Sequence, residues 1–458
     1  MKIEKFIAKN VHGYLNYEVE FDQRLTFLIG INGSGKTSVL KLILGLISPS
    51  YNYLNTIDFD FAELNCFDEK KGNILITAKR TNDIEIELSL KHDELLLPIT
   101  GSLNKLSQVQ SNEFESDEIS EKLRIVIDSF NQQEVVKLIK ELTTPLFLGL
   151  DRRVYEGQQI DRMRQSFLFR KRYRHYPQSD PLNISLMDIQ EVIFDYVRII
   201  ASKQPKINQD FKNKILLQSF EFLESQELNI VKDFKELKEK RKKAIDAFDN
   251  LNITGFTDHV NNFFDKLEIV LKQLNEQQKN KKGEDYDLHN IQIFQKWFNN
   301  QPQLKRINEL IGFNLAYQNE IEKLYLPLEQ TKSIINLFFT ESEKELLIDP
   351  QGELTVKFKN KIFDKNEKIA KIFELSSGEK QIVTMLGHLI YFEEKFKSET
   401  GIFIIDEPEL SLHLAWQEIF VKAIMEASPN TQFILATHSP AIIGDAPEEI
   451  CQDLAKLN

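Results

Sequence analysis

The run Gly30-Ile31-Asn32-Gly33-Ser34-Gly35-Lys36-Thr37 has the residue types and spacing to hold phosphate. It fits the pattern G-x-x-x-x-G-K-[ST] at every fixed position. Glycines there let backbone N–H groups close around phosphate oxygens, and the start of the following helix adds partial positive charge. The pattern directs Lys36 to the β- and γ-phosphates of a nucleotide and the Thr37 hydroxyl to Mg²⁺. Asn32, Gly33, Ser34, Gly35 and Ser38 complete the cradle. A second run, Gly401-Ile402-Phe403-Ile404-Ile405, is apolar and ends in Asp406-Glu407. Asp406, emerging at the carboxyl end of a buried strand, is placed to hold the metal. Glu407, one residue on, is placed to orient or deprotonate an attacking water.

Such groups need strands and helices to bring them together. Leu25 to Ile29 reads as a buried strand, and Ser38 to Ile47, apolar on nearly every side, as a buried helix that stops at Ser48-Pro49-Ser50. Residues 2 to 9 and 16 to 29 read as strands around a turn at His12-Gly13. Asn73 to Lys79 and Ile84 to Leu90 read as an antiparallel pair, Glu121 to Leu142 as helix, and Leu146 to Leu150 as a buried strand. Residues 1–155 are thus expected to form the first lobe of a nucleotide-binding domain.

Residues 156–330 are expected to form a helical insertion. No glycine occurs between Gln158 and Thr254, and apolar residues recur at three- and four-residue steps, as at Val231, Phe234 and Leu237. Helix also reads from Thr257 to Gln278 and from Leu288 to Phe338, with a polar tip at Lys279 to Asp285. Nothing in this part shows catalytic chemistry, and its expected use is packing, assembly or partner binding. Residues 331–458 form the second lobe. There, Asp349-Pro350-Gln351-Gly352 turns a hairpin between Glu345–Ile348 and Leu354–Phe358. Ser376 or Ser377 with Glu379 caps a helix that runs through Met385 and Leu389, and a strand Phe433 to Thr437 ends at His438.

The chain has 458 residues, enough for two or three domains, and 58 Lys and Arg against 70 Asp and Glu give a net charge of −12. That balance argues against a surface coated for nonspecific nucleic-acid binding. One segment is strongly basic: Arg152 to Arg174, where arginines alternate with Phe167, Phe169 and Tyr173. It suits a nucleic-acid backbone, an acidic patch on another subunit, or a solvated, internally paired face equally well. The two cysteines, Cys66 and Cys451, have no paired spacing, so neither a disulfide framework nor a cysteine zinc site is expected, and a reducing cytoplasm is. The start Met1-Lys2-Ile3-Glu4 has no cleavable signal pattern, and no apolar run approaches the roughly 20 residues that span a bilayer. No membrane partner is expected.

The order of phosphate loop, Leu375-Ser376-Ser377-Gly378-Glu379, Asp406-Glu407 strand and terminal His438 resembles the ABC-class ATPases, in the soluble branch that includes the SMC and RecF proteins. The resemblance covers both lobes but not the helical middle. The family signature LSGGQ departs here to LSSGE, similar to variants of the soluble branch. The resemblance implies an α/β fold: an ABC-type P-loop ATPase head made of two sequence lobes, with a helical insertion that has room for short antiparallel coiled-coil arms. It implies ATP and Mg²⁺ as ligands, hydrolysed to ADP and phosphate. Ser376 and Gly378 would contact the γ-phosphate bound to the opposite subunit, so that a homodimer sandwiches two ATP molecules. Ser411-Leu412-His413 would be the D-loop, and His438 the switch histidine that senses the γ-phosphate, beside the catalytic Glu407. The Q-loop glutamine falls at Gln158 or Gln159, or at Gln108 or Gln110.

A narrower resemblance lies in Asp406-Glu407-Pro408-Glu409-Leu410-Ser411-Leu412-His413 with Ala436-Thr437-His438-Ser439-Pro440. The pairing is similar to the bacterial "AAA family" ATPases of the overcoming-lysogenisation-defect type, including the ATPase subunits of the PARIS and Septu anti-phage systems. The compact length leans toward PARIS. The resemblance implies an ATP-driven scaffold and sensor, assembled as a homodimer or higher homo-oligomer, that restrains an effector nuclease until a phage protein or nucleic acid triggers it. Only 20 residues follow His438, so a TOPRIM or HNH nuclease is expected on a separate chain. A DNA-repair or chromosome-maintenance ATPase of RecF or SMC type is the alternative.

Overall fold

The computed structural model describes residues 1–82, 85–104, 125–142, 145–149, 154–156, 181–220, 234–250, 256–279, 288–358, 368–395, 401–410 and 412–456. Gln108, Gln110, Gln158, Gln159, Ser411, most of Arg152 to Arg174 and the tip after Lys279 lie outside them. The chain divides into two compact units: Met1–Asp195 with Pro327–Asn458, and Tyr196–Leu326.

The first unit is built on two six-stranded sheets. One is antiparallel, with strands β1 (Lys2–Val11), β2 (Leu15–Glu20), β4 (Phe61–Asp68), β5 (Gly72–Arg80), β6 (Glu85–His92) and β7 (Ile99–Asn104) in the order β2-β1-β4-β5-β6-β7. Its strands alternate buried and exposed residues, as in β2, because one face meets the core and the other meets water. The other sheet contains β3 (Leu25–Ile29), β8 (Leu146–Leu148), β9 (Val154–Glu156), β13 (Ile402–Asp406), β14 (Gln432–Ala436) and β15 (Cys451–Asp453), in the order β15-β3-β14-β13-β8-β9. All its pairings are parallel except β8 with β9. Every residue of β13 and β14 is buried, which is why these strands read as unbroken apolar runs.

Helix α1 (Lys36–Ile47) follows β3 and shares one core with residues of both sheets: Leu40, Ile43 and Leu46 lie in a cluster with Phe6, Leu64 and Ile76 of one sheet and Ile404 and Ile434 of the other. A helix covered on two sides has no polar face to keep, which accounts for its apolar composition. The segment 16 to 29, expected as one strand, is two. Asp22 Oδ1 accepts from the backbone N–H groups of Arg24 and Leu25 at 2.7 and 3.1 Å, and this turn carries the chain from β2 in one sheet to β3 in the other. The helix expected from Glu121 is described from 125 and is interrupted at Gln133 before α3 (Glu134–Leu142), α2 being Tyr51–Thr56. Gln133 turns its amide instead to β7, accepting from Ser102 N–H at 2.9 Å and donating to Ser102 O at 2.6 Å.

The expected hairpin is present as β10 (Lys344–Ile348) and β11 (Leu354–Phe358), with β12 (Lys368–Lys371) alongside. Asp349 Oδ1 accepts from Gln351 and Glu353 N–H at 2.9 and 2.7 Å, and Gly352 has a φ of 91°. Helix α4 (Pro181–Ser219) begins in this unit, where it buries Leu186, Ile189 and Ile193, and passes into the second unit at Tyr196.

The second unit is helical: the rest of α4, then α5 (Phe234–Asn250), α6 (Phe256–Lys279), α7 (Leu288–Asn299) and most of α8 (Gln301–Phe339). Helices α4 and α8 run antiparallel. Tyr196 OH donates to Leu324 O at 3.0 Å, Tyr317 OH to Asn208 Oδ1 at 3.0 Å, Phe211 stacks on Tyr317 with centroids 4.6 Å apart, and Gln218 meets Glu309. Helices α5 to α8 close around Leu237, Phe264, Leu267, Trp297 and Leu304. Among the described residues, no helix is long and apolar enough to cross a membrane.

Gln432, fully buried at the start of β14, ties the first unit's two sheets together. Its Oε1 accepts from Ile3 N–H at 2.8 Å, and its Nε2 donates to Ile3 O at 2.7 Å and Asp22 O at 2.8 Å. Gln432→Leu leaves a buried N–H and two carbonyls without partners, so we expect urea denaturation to show a loss of about 2–4 kcal/mol. A loss below about 0.5 kcal/mol would mean that the tie contributes nothing.

Candidate functional site

The phosphate loop bridges β3 and α1, and two of its glycines are required by geometry. Gly33 and Gly35 have φ of 87° and 85°, the left-handed region that glycine occupies without strain. A Cβ on Gly35 would also lie 1.8 Å from the Tyr17 hydroxyl. Tyr17, on β2 and nearly fully buried, donates that hydroxyl to Ser34 O at 2.9 Å and so supports the loop from below. Burial raises its phenol to about 12, so it stays a donor at any physiological pH. Within the loop, Ser34 N–H donates to Ile31 O at 3.1 Å, and Ser34 Oγ is buried without a hydrogen-bond partner. Ser38, in the first turn of α1, meets His12 Nε2 through its hydroxyl at 2.9 Å. Asn32 and Gly33 are exposed at the crest.

Lys36, only 6% exposed, donates to Gly30 O at 3.0 Å and to His438 Nε2 at 2.5 Å. His438 follows β14, which lies between β3 and β13 in the sheet. Asp406 ends β13. The three strands are parallel, so the loop, His438, Asp406 and Glu407 all gather at their carboxyl ends.

The electrostatics of this cluster are set by burial. Burial lowers the Lys36 ammonium below the usual lysine range, while Glu407, then Asp406 and Glu409, act to keep it charged. Burial raises the Asp406 carboxyl above the usual range, helped by the negative Glu407 and opposed by the Thr37 hydroxyl, Lys41 and Lys36. Both Asp406 oxygens are buried and neither has a partner in hydrogen-bonding geometry. A carboxylate left in that state beside a threonine hydroxyl fits a divalent cation. Among the described residues, no cluster of three or more His, Cys, Asp or Glu side chains could hold a metal alone. Asp406 and Thr37 are a donor pair suited to a hard cation that shares its other ligands with a phosphate, the usual mode for Mg²⁺.

Glu407 has a φ of 49°, a left-handed conformation that a side chain rarely adopts, and its N–H donates to Ala436 O at 2.8 Å. The chain therefore turns sharply where β13 ends. Ser376 and Gly378 lie elsewhere, at the start of α9 (Ser377–Lys395). Ser376 is the cap. Its N–H and hydroxyl both donate to Glu379 Oε2, at 2.8 and 2.9 Å, and Glu379 N–H returns to Ser376 Oγ at 3.4 Å. Glu379 is buried and paired with Lys344 of β10 at 2.7 Å, and Ser376 and Ser377 are exposed.

Three residues in these arrangements escape sequence reasoning. Tyr17 and Lys344 act through contacts far along the chain. Glu409 accepts from Thr437 Oγ1 and His438 N–H, yet in the sequence it is one more acid in an acidic turn.

A sequence profile for the family described as "AAA domain, putative AbiEii toxin, Type IV TA system" matches residues 25–444. The chain is similar to the "Retron Vc95 probable ATPase" of Vibrio cholerae serotype O1 biovar El Tor, 26% identical over 174 residues that make up 33% of this chain and 34% of that protein. It is also similar to the "Retron Ec83 probable ATPase" of Escherichia coli, 33% identical over 88 residues, 18% of this chain and 16% of that one. "Endonuclease GajA" of Bacillus cereus (strain VD045) is 37% identical over 62 residues, 13% of this chain and 11% of that one. The chain thus spans about a third or less of the curated relatives it matches. Among solved structures, the SMC head domain from Thermotoga maritima aligns over 97% of this chain and 91% of that one, at 12% identity and a TM-score of 0.35. A score that low does not carry the fold, which stands on the sheet order above.

With no cation present, the buried, unpaired Asp406 carboxylate costs stability. Its raised pKa means that the folded chain holds the proton more tightly than the unfolded chain. Asp406 therefore destabilises progressively as pH rises through the folded pKa, and not below the unfolded value of about 4. We expect Asp406→Asn, in a chelator at pH 7, to raise Tm by about 2 °C, with the difference closing toward about pH 4. A lower Tm at pH 7 would show that Asp406 is satisfied in the ligand-free protein.

Proposed function

The chain belongs to this AAA-domain family, and we propose that it binds ATP at the carboxyl ends of β3, β14 and β13 and hydrolyses it to ADP and phosphate. One observation carries the reading: the loop lysine, two strand-end carboxylates and a strand-end histidine converge there, with Lys36 Nζ 2.5 Å from His438 Nε2. Backbone N–H groups of Asn32 to Ser38 cradle the β- and γ-phosphates, and Lys36 lies against them as a buried positive charge. Thr37 and Asp406 would hold Mg²⁺, whose chemistry when bound is to neutralise charge on the phosphate oxygens. Glu407 orients a water in line with the γ-phosphorus and takes its proton. His438 donates to the γ-phosphate and so registers its presence. Most of the rate comes from positioning and electrostatics, as is general for phosphoryl transfer.

Ser376 and Ser377 are exposed at the start of α9 and Gly378 is buried behind them; the exposed Ser376 suits this helix start to the γ-phosphate of a second copy, giving an ATP-sandwiched homodimer. We further propose a role in bacterial anti-phage defence, as an oligomeric scaffold and sensor that controls an effector nuclease on another chain. Support comes from the relatives, two of them named as retron "probable ATPase" and one as an endonuclease. These names do not favour a repair or chromosome ATPase.

Lys36→Ala should lose ATP binding or turnover. Glu407→Gln should keep ATP binding while turnover falls about a hundredfold or more, and should accumulate the dimer in ATP. Wild-type turnover in Glu407→Gln would remove Glu407 from the reaction. Mass spectrometry of tagged Glu407→Gln protein, isolated from its host in ATP, should find a stoichiometric nuclease. Recovery of DNA with replication or repair proteins and no dedicated partner would support the RecF or SMC alternative instead.

A further inference from the structure

The acidic turn after β13 contains a carboxylate whose charge helps keep Lys36 ionised but whose oxygens are bonded elsewhere. Glu409 accepts from Thr437 Oγ1 at 2.8 Å on one oxygen and from His438 N–H at 2.7 Å on the other. It reaches them because Glu407 is left-handed and because two tight turns follow. Leu410 N–H closes on Glu407 O at 3.1 Å, and Leu412 N–H on Glu409 O at 3.0 Å. A carboxylate filled by donors from two consecutive residues fixes the direction in which the chain leaves β14. That direction decides where the His438 ring lies, and the ring is in contact with Lys36.

The far side of the histidine is also held. Ser439 N–H donates to Thr437 Oγ1 at 3.0 Å, its hydroxyl donates to Gln417 Oε1 at 2.6 Å, and Gln417 Nε2 donates to Leu412 O at 2.9 Å. Gln417 belongs to α10 (Leu414–Ala427), which follows the same turn. The two ends of the acidic turn therefore grip the residues on both sides of His438.

We propose that Glu409 is a positioning residue for hydrolysis: it sets His438 where the ring meets the γ-phosphate and, through Ser439 and Gln417, links that setting to the turn at Leu412. The proposal rests on the ATP reading of the site. Glu409→Ala removes the carboxylate and both of its bonds, whereas Glu409→Gln can keep both without the charge, its amide oxygen accepting from His438 N–H and its N–H₂ donating to the Thr437 hydroxyl. Thr437→Val, at a fully buried position, removes one of Glu409's two bonds and the acceptor of Ser439 N–H, with little change in volume.

The test is steady-state ATP hydrolysis together with direct ATP-binding measurements. It compares wild type, Glu409→Ala, Glu409→Gln, Thr437→Val, His438→Ala and the Glu409→Ala/His438→Ala double variant. Glu409→Ala should lower kcat about tenfold or more, with a smaller loss of ATP affinity. Glu409→Gln, which keeps the bonds and loses only the charge, should stay within about threefold of wild-type kcat. In the His438→Ala background, Glu409→Ala should cause little further loss of kcat, because it acts through the histidine. Wild-type kcat in Glu409→Ala, a Glu409→Gln loss as large as that of Glu409→Ala, additive losses in the double variant, or affinity falling in step with kcat would each overturn the proposal. Should Glu409→Ala fail to fold, Thr437→Val with unchanged kcat would overturn it alone. A wild-type protein that hydrolyses no ATP would overturn the ATP reading and this proposal with it, a result visible before any substitution is compared.

Discussion

An ammonium group taken out of water is held only if its surroundings replace the lost hydration. Lys36 is 6% exposed, and its replacements are one carbonyl, one imidazole nitrogen and three nearby carboxylates from the end of β13. None of these is close to Lys36 in sequence except Gly30. The parallel sheet brings them together: β14 lies between β3 and β13, so the chain that leaves each strand emerges on the same side. The rest of the first unit can be understood as what fixes these three strands and the loop between β3 and α1. The core around α1 packs the loop's helix against both sheets, Tyr17 supports the loop from β2, and Gln432 fastens β14 to β1.

The same cluster contains two features that oppose stability. Asp406 is buried without a hydrogen-bond partner, and Glu407 occupies a left-handed conformation. Strained or unsatisfied groups that persist in a folded chain tend to mark functional sites, because the surroundings must over-determine them. Here both stand at the junction of β13 with the acidic turn, where a cation and a water would need to be placed. The signature segment shows the opposite design. Ser376 and Glu379 satisfy each other, Lys344 neutralises Glu379, and the helix start is left exposed.

Much of this could be read in the sequence because it is local. The phosphate loop is eight consecutive residues, and its flanking strand and helix adjoin it. Unbroken apolar runs marked β13 and β14, and the two expected antiparallel strands near Asn73 and Ile84 are β5 and β6. Reading residues 16 to 29 as one strand failed because apolar pattern does not see the Asp22 side chain, which bends the backbone by capping two N–H groups. Glu409, Tyr17 and Lys344 were illegible for a different reason. Their partners lie 28 or 29, 17 and 35 residues away, and nothing in an acid, a tyrosine or a lysine announces which distant atom it will meet. The helical middle showed its periodicity and room for antiparallel arms, but not that α4 from Tyr196 to Gln218 would pair with α8, a register set by Tyr196, Asn208 and Gln218.

We propose that the space at the ends of β3, β14 and β13 is a triphosphate site lined by Lys36 and His438. A structure of the Glu407→Gln protein with Mg²⁺ and ATP tests it most directly. The account predicts a γ-phosphate oxygen between Lys36 Nζ and His438 Nε2, and so the loss of their 2.5 Å contact. Nucleotide bound elsewhere, or a Lys36–His438 contact unchanged with ATP in place, would contradict it.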